Sequence, residues 1–334
     1  MKKSKISVPV YMNFFNRPET FELVFNAVKE ARPSKLFLAC DGPRDNRLDD
    51  IENIRRCKEI ASNIDWECEV YTNYSDRNLR CGMRMNTGIT WAFNYVDRLI
   101  ILEDDCVPTQ DFFIFCEEIL EKYKDDCRIH MVNAMNHLGE YKATKNSYFF
   151  GPGCCWGWAT WKRAWQYMDY NMNFLEDEYS MKCVERKYPF YRNAIKIGKE
   201  RLEMLKLGKQ LSAWTYQSGM ASALESQMAI VPSVNLIKNI GLTTESEHAT
   251  NDINKLPKSQ QAYFNAQTYK MKFPLKHPKY IVEDWNYYDL VQKKFKVTKF
   301  TRLEGYLRQF IYAQKGERKI FIKKVLKKIL FIKK

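Results

Sequence analysis

The segment Leu99-Ile100-Ile101-Leu102-Glu103-Asp104-Asp105 decides the fold, because it joins a buried strand to three carboxylates. Four consecutive aliphatic residues predict a strand with both faces covered, as in a parallel sheet between helices. In open parallel sheets, ligands bind beyond the carboxyl ends of the strands. We therefore expect Glu103, Asp104 and Asp105, here called the acidic triplet, to lie at a binding site.

The chain before the acidic triplet alternates between strand and helix patterns. Residues Ile6–Phe14 predict a first strand, and Asn16-Arg17-Pro18-Glu19 predicts a helix start, because proline and acidic residues favour the first helical turn. Leu36–Cys40 and Trp66–Tyr71 predict two more strands, with an amphipathic helix around Ile51–Ile60 between them. This order predicts an α/β fold with a Rossmann-like, mostly parallel sheet flanked by helices.

The rest of the chain is interpreted from turn residues, caps and loss of pattern. Asn78–Gly82 predicts a turn before a helix near Thr87–Tyr95, and Asp111 predicts the start of a helix that packs on the sheet. Regular alternation is lost near residue 250. We therefore predict a domain at 1–250 and a C-terminal extension at 251–334 that ends in a basic helix.

Composition restricts the class of protein. The chain has 334 residues, of which 45% are hydrophobic, enough for a sizeable buried core. Its ten cysteines form no CxxC pair and stand with only four histidines, which favours a reducing compartment and no structural zinc. The sequence has no signal-peptide pattern and no apolar run of roughly 20 residues, so we expect a cytoplasmic protein.

The net charge of +14 is concentrated near the end of the chain. Residues 315–334 carry nine Lys and Arg against one Glu. In Lys319–Lys334, apolar residues recur at helical spacing and lysines occupy the other face, which is typical of a helix lying on anionic lipid. Because this segment has few aromatic residues for base stacking, we predict contact with an anionic membrane surface and no nucleic acid. The protein is then peripheral on the inner face of the cytoplasmic membrane.

The acidic triplet has a chemical interpretation. Carboxylates in a partly desolvated place repel one another, which costs stability unless a cation neutralises them, and hard oxygen ligands favour Mn²⁺ or Mg²⁺. Such an ion also stabilises the charge that builds on a departing nucleoside diphosphate. Acidic residues at strand ends are often solvated loop residues, so the triplet alone leaves both interpretations open.

Several ordered motifs extend this argument by resemblance. The segment Ile101–Pro108, with Asp111-Phe112-Phe113, resembles the DXD-type metal motif of inverting glycosyltransferases with the GT-A fold, in particular bacterial enzymes related to family 2 and to N-acetylglucosaminyltransferase I. The resemblance covers roughly residues 6–248. The other motifs that carry it are Val8–Arg17, Cys40–Arg44, Asn78–Phe93, Gly157–Trp161, Val234–Ile237 and His248.

The resemblance implies roles for individual residues. The metal ion, Mn²⁺ or Mg²⁺, is expected on Asp105 and His248. The nucleotide and its sugar are expected on Phe15, Asn16, Arg17, Asp41, Arg80, Arg84, Glu103 and Asp104. These residue types have ordinary structural roles as well, since aspartate before Gly-Pro favours a turn and arginine is common on surfaces.

The resemblance also implies which residues contact the acceptor. It shows in addition that the usual general base is missing from this sequence. The glycine-rich loop implies contacts of Gly157 and of Trp158 or Trp156 with the acceptor or donor sugar. Inverting transfer needs a general base, and the resembling enzymes usually have an aspartate where this chain has Thr215. Threonine is no base at neutral pH, so Glu225 or Asp177 is expected to substitute, or activity is impaired.

Together these features predict a metal-dependent glycosyltransferase. It would move a sugar from a nucleoside-diphosphate donor, most simply a UDP-sugar, to a glycan or lipid-linked acceptor in surface polysaccharide or lipopolysaccharide synthesis. Two alternatives are a catalytically impaired homologue that acts as a binding scaffold and a sugar nucleotidyltransferase. The nucleotidyltransferase alternative is weakened because this sequence has no glycine-rich, lysine-bearing phosphate loop after the first strand.

Overall fold

A computed structural model describes residues 1–188, 191–208, 214–242, 252–296 and 298–312. His248, predicted as a metal ligand, and Lys319–Lys334, predicted as a membrane-binding helix, lie outside these residues. Within the described ranges, no helix is both long enough and apolar enough to cross a bilayer.

Ten strands in the described part of the chain form an eight-stranded sheet and a separate two-stranded sheet. Their aliphatic and aromatic residues are largely buried, which explains why the strands form where the sequence is most apolar. The strands are β1 (Val10–Phe14), β2 (Lys35–Cys40), β3 (Glu69–Tyr74), β4 (Arg98–Glu103), β5 (Cys106–Pro108), β6 (Ile129–Asn133), β7 (Tyr148–Gly151), β8 (Trp158–Trp161), β9 (Met228–Pro232) and β10 (Ile237–Asn239).

The larger sheet has the strand order β3-β2-β1-β4-β8-β6-β9-β7. Strands β3, β2, β1 and β4 are parallel, β6 is parallel to β9, and β8 and β7 run antiparallel to their neighbours. The register pairs Asn13 of β1 with Glu103 of β4, so the residues that follow these two strands emerge side by side. The predicted α/β fold with a mostly parallel sheet is confirmed.

Helices connect the strands and bury both faces of the sheet. Met12 and Phe14 of β1 pack in the same core cluster as Phe21 and Phe25 of the first helix, whereas Tyr11 packs with residues of the third helix on the other side. The helices are α1 (Pro18–Ala31), α2 (Leu48–Ser62), α3 (Arg80–Ala92), α4 (Gln110–Lys122), α5 (Lys162–Trp165), α6 (Glu178–Lys187), α7 (Tyr191–Lys206), α8 (Thr215–Leu224), α9 (Lys258–Phe264), α10 (Trp285–Phe295) and α11 (Lys299–Ile311).

Two predicted boundaries differ from the structure. The strand predicted at Trp66–Tyr71 is β3 at Glu69–Tyr74, because the buried Trp66 instead precedes the strand and donates its indole N–H to the Pro33 carbonyl at 2.8 Å. The turn predicted at Asn78–Gly82 already contains the first residues of α3. The helix starts early because Asp41 accepts the backbone N–H of the residue before it, as described below for the site.

Residues on both sides of the boundary predicted near residue 250 pack in the same hydrophobic core. Met271 and Leu275 are buried in the main core cluster, together with residues of β1 and α4. Met271 donates its backbone N–H to the Asp111 carboxylate at 2.9 Å, and Asp284 donates its backbone N–H to the Phe150 carbonyl at 2.8 Å. Part of the predicted extension therefore belongs to the wall of the central domain.

Candidate functional site

One large cleft, of about 550 Å³, collects most of the predicted site residues. It begins at the carboxyl ends of β1, β2 and β4 and runs past α8 to the segment that precedes α10. We call its two ends the arginine end, lined by Arg17, Arg44, Arg80, Arg84 and Asp41, and the aromatic end, lined by Tyr188, Glu283, Trp285 and Tyr288. The acidic triplet lies between them.

Arg17 pairs with two carboxylates of the acidic triplet. Its guanidinium pairs with Asp104, and its Nη1 lies 3.1 Å from Oδ2 of Asp105. The backbone N–H of Phe15 also donates to Asp104 at 3.2 Å. These contacts follow from the parallel register of β1 and β4, which brings the loop after one strand against the loop after the other. Burial lowers the pKa of Arg17, but the two carboxylates outweigh it and hold that pKa above its ordinary value.

Burial shifts the pKa values of Glu103 and Asp104 in the acidic triplet. Burial raises the pKa of Glu103 well above its usual range, and the charges of Asp105 and Asp104 raise it further. Burial also raises the pKa of Asp104, although Arg17 opposes that shift. The backbone at Gly241 packs closely on Asp105. A Cβ added at Gly241 would lie only 2.2 Å from Oδ2 of Asp105. The triplet is a rigid, acidic floor to the cleft.

The predicted divalent ion has no complete ligand set among the described residues. No group of three or more His, Cys, Asp or Glu side chains there is arranged to hold a metal. Carboxylates are suitable ligands for Mn²⁺ or Mg²⁺, but Asp104 and Asp105 already share the Arg17 guanidinium. Arg17 is the cation that meets these two carboxylates here, and the other predicted ligand, His248, lies outside the described residues. The metal stays a prediction.

Asp41 is both a turn residue and a cleft residue. It is buried, and its Oδ1 accepts backbone N–H groups from Gly42 at 3.0 Å and from Leu79 at 2.8 Å. It therefore ties the end of β2 to the start of α3. Burial raises its pKa, although those hydrogen bonds oppose the shift. The two interpretations of Asp41 offered by the sequence are compatible in the structure.

Asp50 is a buried carboxylate beneath the cleft that sequence reasoning missed. It is fully buried in the first turn of α2, where it accepts from Nε of Arg44 at 2.8 Å and from Nδ2 of Asn16 at 2.6 Å. It thereby orients two residues that line the cleft. Sequence periodicity instead assigned the neighbouring Ile51 to the buried face, but Ile51 is 57% exposed. An acidic residue at a helix start gave the only signal, and that signal also fits a cap.

Arg84 and Arg80 enter the cleft from α3. Arg84 is only 3% exposed and donates through Nη2 to the carbonyl and side-chain oxygens of Asn73, at 2.7 and 2.9 Å. Its Nε has no hydrogen-bond partner in the part of the chain that is described. Arg80 is exposed and holds φ of +61°, a left-handed conformation that is costly for a residue with a side chain. Strain of this kind occurs often at ligand-binding positions.

Gly157 and Trp158, predicted to contact a sugar, lie in the packed core instead of the cleft. Trp158 is 2% exposed and stacks on Trp214 at a centroid distance of 5.4 Å. Gly157 holds φ of +59°, and a Cβ there would approach the side chain of Ile237 to 2.0 Å. The preceding residue, Trp156, lines the cleft. Trp158 belongs to β8 and packs in the core, whereas Trp156 stands before that strand.

The two predicted general bases lie away from the cleft. Asp177 is exposed and caps α6, where its Oδ1 accepts the backbone N–H of Ser180 at 3.0 Å. Glu225 is exposed at the C-terminal end of α8. Thr215, at the position where the resembling enzymes have an aspartate, does line the cleft. Neither Asp177 nor Glu225 is among the residues that line the cleft, so the structure gives no support to either as the base.

The cleft contains one further carboxylate that the sequence did not indicate, Glu283 at the aromatic end. Burial raises its pKa, while the charge of Lys187 opposes the shift. Its neighbours Trp285 and Tyr288 also line the cleft. The run Glu283-Asp284-Trp285-Asn286-Tyr287-Tyr288 combines acidic and aromatic residues, which was a usable signal in a region otherwise interpreted as an extension.

Comparison with known proteins gives weak likenesses only. No protein-family model matches the chain, and the search of curated proteins found no match. A solved structure of 4-diphosphocytidyl-2C-methyl-D-erythritol synthase from Anaerococcus prevotii DSM 20548 has a TM-score of 0.29 and 10% identity over 52% of this chain and 78% of that chain. UDP-glucose pyrophosphorylase complexed with UDP-glucose has a TM-score of 0.24 and 9% identity over 45% of this chain and 64% of that chain. Likeness at this level does not assign a function.

Proposed function

We propose that the protein is a glycosyltransferase of the GT-A type, which transfers a sugar from a nucleoside-diphosphate donor to a glycan or lipid-linked acceptor. One observation carries the proposal. A single cleft joins four arginines and a buried acidic floor to a wall with a carboxylate and aromatic rings. An anionic nucleotide and a carbohydrate can therefore lie end to end in it.

The arginine end suits a diphosphate. Guanidinium groups bind phosphate oxygens in a planar, often bidentate geometry, and Arg80 and Arg84 both line this end of the cleft. Phe15, Asn16 and Asp41 line the same end and offer a ring, an amide and a carboxylate for the base and ribose. Fixed positive groups at this place stabilise the charge that develops on the departing diphosphate.

The proposed membrane surface and lipid-linked acceptor are supported by the sequence and by one further surface of the protein. Phe300, Leu303 and Leu307 follow one another along one side of α11 and are 77%, 54% and 54% exposed. The basic run of residues 315–334 comes soon after them in the chain. An exposed apolar face next to basic residues supports attachment to the anionic inner face of the cytoplasmic membrane, where a lipid-linked acceptor resides.

Two alternatives have their own support. A sugar nucleotidyltransferase also binds an anionic nucleotide, so the arginines that line this end suit that class as well. A binding scaffold is supported by Thr215, which leaves the expected base position of the cleft without a carboxylate. Both alternatives keep nucleotide binding at the arginine end and differ in what happens next.

The deciding experiment combines binding with product analysis. Calorimetric titration with UDP, GDP and CMP, with Mn²⁺ and with EDTA, is expected to show binding of one nucleotide by the wild-type protein and its loss in Arg84→Ala. The purified enzyme is then incubated with the matching nucleotide-sugar. Release of the nucleoside diphosphate supports transfer or hydrolysis of the donor, and its absence favours the scaffold.

A parallel incubation with nucleoside triphosphate and sugar 1-phosphate tests the other enzyme class. Formation of pyrophosphate and a nucleotide-sugar would establish a nucleotidyltransferase and overturn the main proposal. Binding of no nucleotide at all would remove the basis of all three.

A further inference from the structure

The aromatic end of the cleft has an unusual surface. Trp285 is 41% exposed although tryptophan is mostly buried in folded proteins. It stacks on Tyr188 at a centroid distance of 6.0 Å with an angle of 29°, and its edge meets Tyr288 at 5.7 Å and 69°. The three rings therefore form a continuous apolar wall that borders the cleft.

This wall is held firmly by the polar contacts beneath it. Asp284 caps α10 by accepting the backbone N–H of Tyr287 at 3.0 Å, and its other oxygen accepts the hydroxyl of Tyr141 at 2.8 Å. The hydroxyl of the buried Tyr287 accepts the backbone N–H of His137 at 2.9 Å. Trp285, between Asp284 and Tyr287 along the turn, is fixed at the start of the helix. A preorganised ring binds a ligand without a large loss of side-chain entropy.

A carboxylate stands beside these rings. Glu283 is only half-buried, lines the cleft and pairs with Phe150 of the edge strand β7 through a single parallel bridge. Ser218 and Ser222 of α8 also line the cleft. Burial raises the pKa of Glu283, so its carboxyl group gains from a hydroxyl partner that replaces lost water. The aromatic end thus combines flat apolar faces with oxygen acceptors and hydroxyls.

The side chains at the aromatic end favour a sugar over an anionic ligand or a lipid chain. All four arginines that line the cleft lie at its other end, and no lysine from the described residues lines it. The charge of Lys187 already acts on Glu283, so a second anionic ligand is disfavoured here. A lipid chain is disfavoured by the Glu283 carboxylate, which would lose water without gaining a hydrogen bond. A sugar ring satisfies both features, because its C–H face packs on an aromatic ring while its hydroxyls donate to a carboxylate.

We propose that Glu283, Trp285 and Tyr288 form a subsite that binds a neutral oligosaccharide, with one pyranose ring stacked on Trp285 and a hydroxyl donated to Glu283. Its role as the acceptor subsite rests on the function proposed above, whereas oligosaccharide binding itself does not require transfer. The segment that precedes α10 thereby supplies the wall against which the acceptor lies.

The test uses the full-length protein on a printed panel of neutral bacterial and eukaryotic-type oligosaccharides, followed by calorimetric titration of the best-bound glycan. Trp285→Ala is expected to weaken that binding at least about ten-fold, and Trp285→Phe, which keeps a ring, to weaken it much less. Tyr280→Ala removes a more exposed aromatic residue, 67% exposed, that does not line the cleft, and is expected to leave binding unchanged.

Nucleotide titration of the same variants separates this inference from the proposed function. UDP binding at the arginine end is expected to be the same in wild-type protein and Trp285→Ala, which also shows that the variant is folded. Wild-type protein that binds no neutral glycan, or binds one equally well after Trp285→Ala, would overturn the subsite whatever the nucleotide result. Glycan binding that is lost in Trp285→Ala, without any nucleotide binding, would keep the subsite and remove the transferase.

Discussion

The two ends of the cleft are built by different means. The arginine end consists of residues that directly follow parallel strands, and its charges are matched by buried partners such as Asp50 for Arg44 and Asp104 for Arg17. The aromatic end is formed by side chains from before α7 and from α10, far apart in the chain, and rests on ring contacts. A charged site needs counter-charges in fixed register, whereas an apolar wall needs only surfaces that meet.

The largest effect is expected from removing the counter-charge beneath the arginine end. Asp50→Ala leaves Arg44 and Asn16 without their buried partner and should lower the free energy of unfolding by about 4 kcal/mol. Urea denaturation of the wild type and variant measures it. Asp49→Ala, which removes the adjacent exposed carboxylate, serves as the matched control and should change stability little. Equal effects of the two changes would show that burial of Asp50 is unimportant.

A second change affects the packed core next to Trp156, which lines the cleft. Gly157→Ala should destabilise the protein by about 2 kcal/mol, because its φ is left-handed and a Cβ would crowd Ile237. Gly208→Ala provides the control, since Gly208 has φ of +72° but no atom within 4 Å of an added Cβ. Gly208→Ala should therefore cost about 1 kcal/mol, from backbone strain alone. Thermal unfolding compares the two, and a larger cost at Gly208 would contradict the packing argument.

Ligand binding at the arginine end should depend on guanidinium geometry. Arg84→Lys keeps the charge but loses the planar fork, and should weaken nucleotide binding about ten-fold in calorimetry. Arg56→Lys changes a surface residue that pairs with Glu19 outside the cleft, and should leave nucleotide binding unchanged. If Arg84→Lys binds as tightly as wild type, Arg84 acts only through its charge.

The support of the aromatic end should be sensitive to acid. Burial, and to a lesser degree the charge of Lys294, lowers the pKa of His137 to about 4. Because the unfolded chain then binds a proton that the folded chain does not, this histidine makes stability fall by up to roughly 1.4 kcal/mol per pH unit as pH drops from about 6.5 towards 4. Urea denaturation at pH 7 and pH 5 should show a smaller loss in His137→Gln than in wild type. An equal loss would assign the acid sensitivity to other groups.

The smallest expected effect is a difference in salt dependence. Raising the ionic strength from about 0.05 to 0.5 M should weaken nucleotide binding a few-fold, because ions screen charge at the partly open arginine end. Binding of a neutral glycan at the aromatic end should change less than about two-fold, since the glycan carries no charge that salt could screen. Calorimetry at two salt concentrations makes the comparison, and equal sensitivity would show that both ligands bind through charge.

The sequence located much of the arginine end in advance. The acidic triplet, predicted from its position at a strand end, lines the cleft. So do the residues that the resemblance implied for the nucleotide: Phe15, Asn16, Arg17, Asp41, Arg80 and Arg84. This succeeded because local patterns fix where parallel strands end, and the ends of neighbouring parallel strands lie at one edge of the sheet. The pairing of Arg17 with the triplet was not predicted, since it depends on which strands are neighbours.

The aromatic end, by contrast, was decided only by the tertiary structure. Glu283 and Trp285 are about 180 residues along the chain from Asp104, and no local pattern fixes contacts at that separation. They reach the cleft because Met271 and Leu275 bury apolar surface in the main core and Asp284 pairs with β7. The sequence by itself determined the order of strands and helices and the acidic edge. The tertiary structure decided which cation meets those acids and which side chains close the cleft, because both depend on packing between distant segments.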